Sequence, residues 1–187
     1  MKIFGSIILT LFLIQSLYSQ NTSNTNTEAD AAVKSFTWDI VKTNKGSLMF
    51  LDVPYQRDNS DSIEYLTLTV AKNKTKQRPE YISIIVPNNI VQSNGLFIKF
   101  SKTIIKDGER SIELEKKEPV RINFETCNDE TCTARLINGY TEATGSKEDI
   151  FQKFLDFDYV LFLYIYPDGS HKTVIVPLFS FKRQYLL

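Results

Sequence analysis

The chain contains only two cysteines, Cys127 and Cys132, and four polar residues separate them. They stand inside the run VRINFETCNDETCTARL, residues 120–136. Ile122 and Phe124 alternate with Arg121, Asn123 and Glu125, which is the period of a half-buried strand. On the far side Cys132, Ala134 and Leu136 alternate with Thr133, Arg135 and Ile137. Asn128, Asp129, Glu130 and Thr131 between them suit a tight turn. The spacing predicts a hairpin with the two cysteines facing each other where its loop closes. Paired residues there lie roughly 4.5–5.5 Å apart at Cα, within the approximately 4.4–6.8 Å span of a disulfide. A loop so short gains only roughly 2 kcal/mol from the bond, so the bond is expected to pin the loop and not to hold up the fold.

Other uses of the pair fit less well. A structural zinc site takes four Cys or His ligands, and the chain offers two Cys and a single His. A redox pair would be spaced Cys-x-x-Cys. Two reduced core cysteines remain the alternative, and the choice turns on compartment. The N-terminus argues for export. Lys2 precedes an almost purely apolar run over residues 3–14, and Ser19 offers a cleavage position, so residues 1–19 read as a signal peptide. The run is shorter than the ~20 residues of a membrane-spanning helix, and no membrane span is expected after cleavage. Residues 20–35, QNTSNTNTEADAAVKS, are nearly free of large apolar side chains and read as a flexible polar tail.

The hairpin resembles the signature of the invasion-associated locus B family, small exported proteins of Gram-negative bacteria. In that family a Cys-x(n)-Cys-x-Ala hairpin follows a Pro-x(7)-Gly element. Here the hairpin is FETCNDETCTARL and the element runs from Pro87 to Gly95. The family tends to continue with a short helix, two long apolar strands and a Ser-Leu-x-Gly-Phe ending. The ending LFSFKRQYLL has the same general character, without the late glycine. Trp38 matches an early tryptophan, but the second cysteine pair that often follows it is missing. By order of elements the resemblance spans residues 36–187. It implies a β-sandwich, a periplasmic, secreted or cell-surface location, and a role in host-cell attachment or entry, hence in virulence.

Residues 36–187 are the right size for one domain. Strand patterns come in close succession: residues 36–40, 48–53 ending at Pro54, 63–70, 81–86 ending at Pro87, and 96–100. Asp107-Gly108 marks a hairpin between TIIK and RSIEL. Residues 159–166, apolar on both faces, read as a central covered strand. The turn Pro167-Asp168-Gly169-Ser170 joins it to a further strand over 172–181. One helix is expected near 146–156, with Ser146 as cap, Asp149 three later, and Ile150, Phe151, Phe154 and Leu155 on one face. The pattern is mainly β: a single sandwich or flattened barrel with one short helix plugging an open end or edge.

Chemistry is sparsely represented. The formal net charge is zero and no Lys/Arg cluster of a nucleic-acid binder is present. Lys72, Lys74, Lys76 and Arg78 sit in a stretch without aromatics and read as a solvated loop. His171 is the only histidine, and Asp168 and Ser170 in the same turn do not compose a nucleophile–base–orienter set. Asp58, Asp61 and Glu64 lack the glycine and alternating acids of a calcium loop and read as a solvated acidic loop. Glu113, Glu115 and Glu118 read as an exposed strand face. Phosphate-cradling glycine loops are absent. No catalytic residue, metal ligand or cofactor is therefore expected. Many aromatics fall at core spacings, among them Phe151, Phe154, Phe162, Tyr164 and Tyr166, although a glycan or lipid cleft could use some of them. Two functions remain: an exported, non-enzymatic interaction protein presenting the Asn128, Asp129, Glu130, Thr131 loop to a protein, envelope or host-surface partner, or an extracytoplasmic module for a small glycan or lipid.

Overall fold

Alternation of buried and exposed side chains builds the core from both sides. The structure, a computed structural model, describes residues 36–57, 61–141 and 147–186. The first strands are β1 (Asp39–Lys42), β2 (Gly46–Gln56), β3 (Ile63–Asn73), β4 (Pro79–Pro87) and β5 (Leu96–Lys106). There follow β6 (Glu109–Leu114), β7 (Val120–Ile122), β8 (Thr126–Cys127) and β9 (Thr131–Ile137). The last are β10 (Tyr140–Thr141), β11 (Glu148–Asp149), β12 (Tyr159–Ile165) and β13 (His171–Pro177). Two helices, α1 (Ile150–Asp156) and α2 (Phe179–Tyr185), complete the described chain.

One antiparallel sheet runs β1-β2-β3-β4-β9-β8, the other β13-β12-β5-β6 with β7 also on β5. They curl into a sandwich or half-barrel whose inner faces carry Leu66, Leu68, Ile82, Ile84 and Leu136 from one sheet. Leu96, Ile98, Phe100, Val160 and Phe162 come from the other. The helices close this core with rings: Phe154 meets Phe100 at 5.9 Å and Phe181 at 5.5 Å, and Phe181 meets Trp38 at 5.1 Å. The mainly β architecture agrees with the sequence pattern.

Both expected hairpin turns form. Asp107 and Gly108 take positive φ values of 55° and 84°, the paired left-handed conformation of a tight hairpin turn. Tyr166 N–H donates to the Ser170 carbonyl at 2.8 Å across the second. Strand β12 lies between β13 and β5, so it is interior to its sheet as expected; one face is fully buried and the other partly so.

Four local expectations need correction. First, β2 continues through Pro54, because β1 starts at Asp39 opposite Phe50 and leaves β2 an edge strand beyond that point, where proline is tolerated. Second, the arm carrying Ile122 and Phe124 is not one strand. Val120–Ile122 pairs with β5 in one sheet, and the chain then crosses so that Thr126–Cys127 pairs with β9 in the other. Third, the strand expected over 172–181 stops at Pro177, and a second helix follows with Phe181 and Tyr185 buried one turn apart. Fourth, α1 begins at Ile150 with Asp149 as its cap, accepting from Gln152 N–H at 2.9 Å. Ser146 lies outside the described residues, as do the leader over 1–19 and the tail over 20–35.

Candidate interaction site at the disulfide-bounded loop

The two-residue strand β8 sets Cys127 directly opposite Cys132 on β9. The sulfurs are bonded at 2.07 Å, with the Cα atoms 4.1 Å apart. Cys132 is fully buried among the core side chains, and Cys127 packs against them. The bond thus fastens the loop to the core.

Within the loop, Asn128 supplies most of the order. Its N–H donates to the Thr131 carbonyl at 2.9 Å. Its side-chain oxygen accepts from the N–H groups of Glu130 at 2.9 Å and Thr131 at 2.7 Å. Local bonding of this kind is what makes Asn a turn residue. A second support comes from the connection between β4 and β5. Asn88 N–H donates to the Glu130 carbonyl at 2.9 Å, and its side-chain amide donates to the Asn128 carbonyl. Gln92 in turn donates to the Asn88 side-chain oxygen at 2.6 Å. The segment from Pro87 to Gly95 therefore lies beside the cysteine hairpin. Gly95 closes it at φ +68°, where a Cβ would come within 2.5 Å of the Ile122 carbonyl oxygen. Asn128, Asp129 and Glu130 are exposed and Thr131 is half-exposed. Neither Asp129 nor Glu130 enters an ion pair among the described residues. The product is a braced loop tip with two carboxylates that are unpaired among the described residues.

The same connection braces a second polar group. Asn89 donates to Glu64 Oε1 at 2.9 Å, while Glu64 Oε2 accepts from Tyr55 at 2.9 Å and Tyr166 at 2.8 Å. Arg57 stacks 4.1 Å from the Tyr166 ring centre and pairs with Asp168 at 2.7 Å. Burial works to raise the Glu64 pKa, but the bonds from Asn89, Tyr166 and Tyr55, with the Arg57 charge, outweigh it and hold the carboxyl below its ordinary value. Burial, then the Glu64 carboxylate, pushes Tyr166 up to about 12. No local pattern in the sequence announces this cluster, because its members come from β2, β3, the β4–β5 connection and the end of β12. It also corrects the acidic-loop reading: Glu64 is a bonded residue of the scaffold, Asp61 is exposed, and Asp58 lies outside the described residues.

The remaining candidates resolve individually. His171 is exposed at the start of β13 opposite Ile165. Ser170 Oγ donates to Asp168 at 2.6 Å, so that hydroxyl and carboxylate serve the turn. Glu115 is not on an exposed face. It meets Lys153 at 2.8 Å, with both side chains 13% exposed, and Glu148 joins at 3.3 Å. Lys74 and Lys76 are solvated as expected, but Lys72 donates to the Tyr185 carbonyl and Arg78 pairs with Asp149, tying strand ends to the helices. Phe151, Phe154, Phe162, Tyr164 and Tyr166 are all buried. Among the described residues no group of His, Cys, Asp and Glu gathers as a metal site, and no helix is long and apolar enough to cross a membrane. Compared with models of known families, with curated proteins and with solved structures, the chain matches none.

Proposed function

We propose that the chain is an exported, non-enzymatic interaction protein that engages a protein or envelope/host-surface partner through the Asn128, Asp129, Glu130, Thr131 loop. The observation that carries this is the bracing of an exposed acidic loop from both sides, by the disulfide and by Asn88. A loop held in place before contact loses less conformational entropy on docking. Its carboxylates select a basic partner surface, and association weakens with salt. A disulfide, an apolar leader and the resemblance to invasion-associated locus B proteins support a periplasmic, secreted or cell-surface setting. The competing glycan or lipid module would rest on an aromatic cleft. The rings in question pack in the core, so the loop reading is preferred.

The test replaces Asp129 and Glu130 with Asn and Gln and measures salt-dependent binding to host-cell and envelope fractions. Binding should fall by about tenfold or more with unchanged thermal stability. Unchanged binding by the folded variant removes the loop from the proposal. A hydrolytic turnover abolished by His171→Ala would overturn the non-enzymatic reading.

A further inference from the structure

At the end of β9 away from the cysteine loop lies an open groove of about 500 Å³, lined among others by Ile122, Asn123, Arg135, Ile137, Asn138 and Lys147. It occupies the side of the sandwich where the edges of the two sheets face each other. β7 ends one sheet there at Ile122, and β9 forms the wall from the other. β8 covers β9 only as far as Thr133, so among the described residues no strand pairs with the outer side of β9 beyond it. Successive residues of an antiparallel strand turn their N–H and C=O groups to alternate sides. The Thr133 carbonyl accepts outward, from Glu125 N–H at 2.8 Å, and the Glu130 carbonyl accepts from the β4 side, from Asn88. Arg135 and Ile137 share the parity of Thr133, so their backbone donors and acceptors face the groove.

Charge says what such an edge would accept. Arg135 and Lys147 line the groove, while Arg78 beside it donates its Nε to the Asn138 carbonyl at 3.3 Å and has its charge met by Asp149. Tyr140 carries two of these cations on its ring, Lys147 at 4.0 Å and Arg78 at 4.3 Å. The chain already shows the pairing in its own structure. Glu125, entering the short strand next to β9, places its carboxylate 3.4 Å from Arg135. Both members of that pair remain substantially exposed, a setting in which an ion pair is weak and exchangeable.

We propose that this groove binds an extended acidic peptide segment, which adds as a strand to the outer edge of β9 at Arg135 and Ile137 and sets its carboxylates against Arg135 and Lys147. Backbone pairing supplies the affinity and the alternate side chains supply the selectivity, the general mode of strand addition at an exposed edge. The site is separate from the acidic loop, and it stands or falls independently of the loop's role.

The experiment titrates the full disulfide-bonded chain with a short peptide alternating glutamate and valine, with its lysine-for-glutamate counterpart, and with polygalacturonate as an acidic polymer lacking amides. The glutamate peptide should bind, weaken with salt, and slow the exchange of the Arg135 and Ile137 amide hydrogens. Lys147→Glu should weaken it about tenfold or more. Ile137→Pro, which deletes an outward N–H that β4 does not use, should weaken it about fivefold. Asp129→Asn with Glu130→Gln should leave it unchanged. The proposal is overturned if the glutamate peptide does not bind at about millimolar concentration, or if the lysine peptide binds equally. It is also overturned if polygalacturonate binds while the peptide does not, or if peptide binds without protecting those two amides. The exchange measurement uses the unaltered chain and decides the matter even where the proline variant fails to fold.

Discussion

Reducing the Cys127–Cys132 bond should loosen one loop and leave the domain standing. The cysteines are five positions apart in sequence, so the bond removes little freedom from the unfolded chain, roughly 2 kcal/mol by loop-closure entropy. Replacing both with alanine also deletes the sulfur of Cys132, which is fully buried, adding about 1 kcal/mol for the small cavity. Set against this loss are contacts that survive: the Asn128–Thr131 backbone bond, the two N–H groups on the Asn128 side chain, and the Asn88–Glu130 bond. A loss of about 3 kcal/mol corresponds to a fall of about 6–12 °C in Tm for a domain of this size. Guanidinium unfolding of the oxidised, reduced and double-alanine forms measures it, with amide exchange at Glu130 and Thr131 reporting the loop. Two results would refute the reasoning: complete unfolding on reduction at room temperature, or unchanged stability and unchanged loop exchange.

Three further outcomes are expected. The folded-state pKa of Glu64 lies below the ordinary glutamate value, so its ionised form stabilises the fold above that ordinary value and the contribution is lost as pH falls through the folded one. Glu64→Gln should cost about 1–2 kcal/mol at neutral pH and progressively less in acid, as read by chemical unfolding at several pH values. Gly139→Ala should cost about 2 kcal/mol or more, because Gly139 sits at φ +76° and a Cβ would lie 2.3 Å from that of Phe151; a melting temperature equal to the parent would contradict this. N-terminal sequencing of periplasmic or secreted material should begin near Gln20, whereas full-length protein confined to the cytoplasm would remove export from the proposal.

What was legible in the sequence was local. Period-two alternation marked the core strands of both sheets, because a strand that buries one face sends neighbours to opposite sides of its pleat, whereas β1 and most of β6 are exposed on both faces. Asp107-Gly108 and the Pro-Asp-Gly-Ser turn were readable because only certain residues take those backbone angles. That the two cysteines face each other followed from their spacing, and the face of α1 from its apolar positions. Residue 124 shows the limit. Phe124 continues the alternation of Ile122, yet it lies in the crossing from β7 in one sheet to β8 in the other, and the alternation of one short segment is the same whichever sheet supplies its neighbour. Phe181 and Tyr185 show another: aromatic residues after Pro177 suit a strand or a helix, and packing against Phe154 and Phe151 selected the helix.

The candidate sites divide in the same way. The sequence by itself determined the loop and its charges, since four polar residues between two cysteines need only their own hydrogen bonds to turn. Only the tertiary structure decided that Asn88 braces that loop, that Glu64 is claimed by Tyr55, Asn89 and Tyr166, and that no strand among the described residues pairs with the outer side of β9 beside the groove lined by Arg135 and Lys147. Each of these depends on which distant strands become neighbours, and that is settled by burying the shared core, a force that is non-directional and leaves no motif at the positions it brings together.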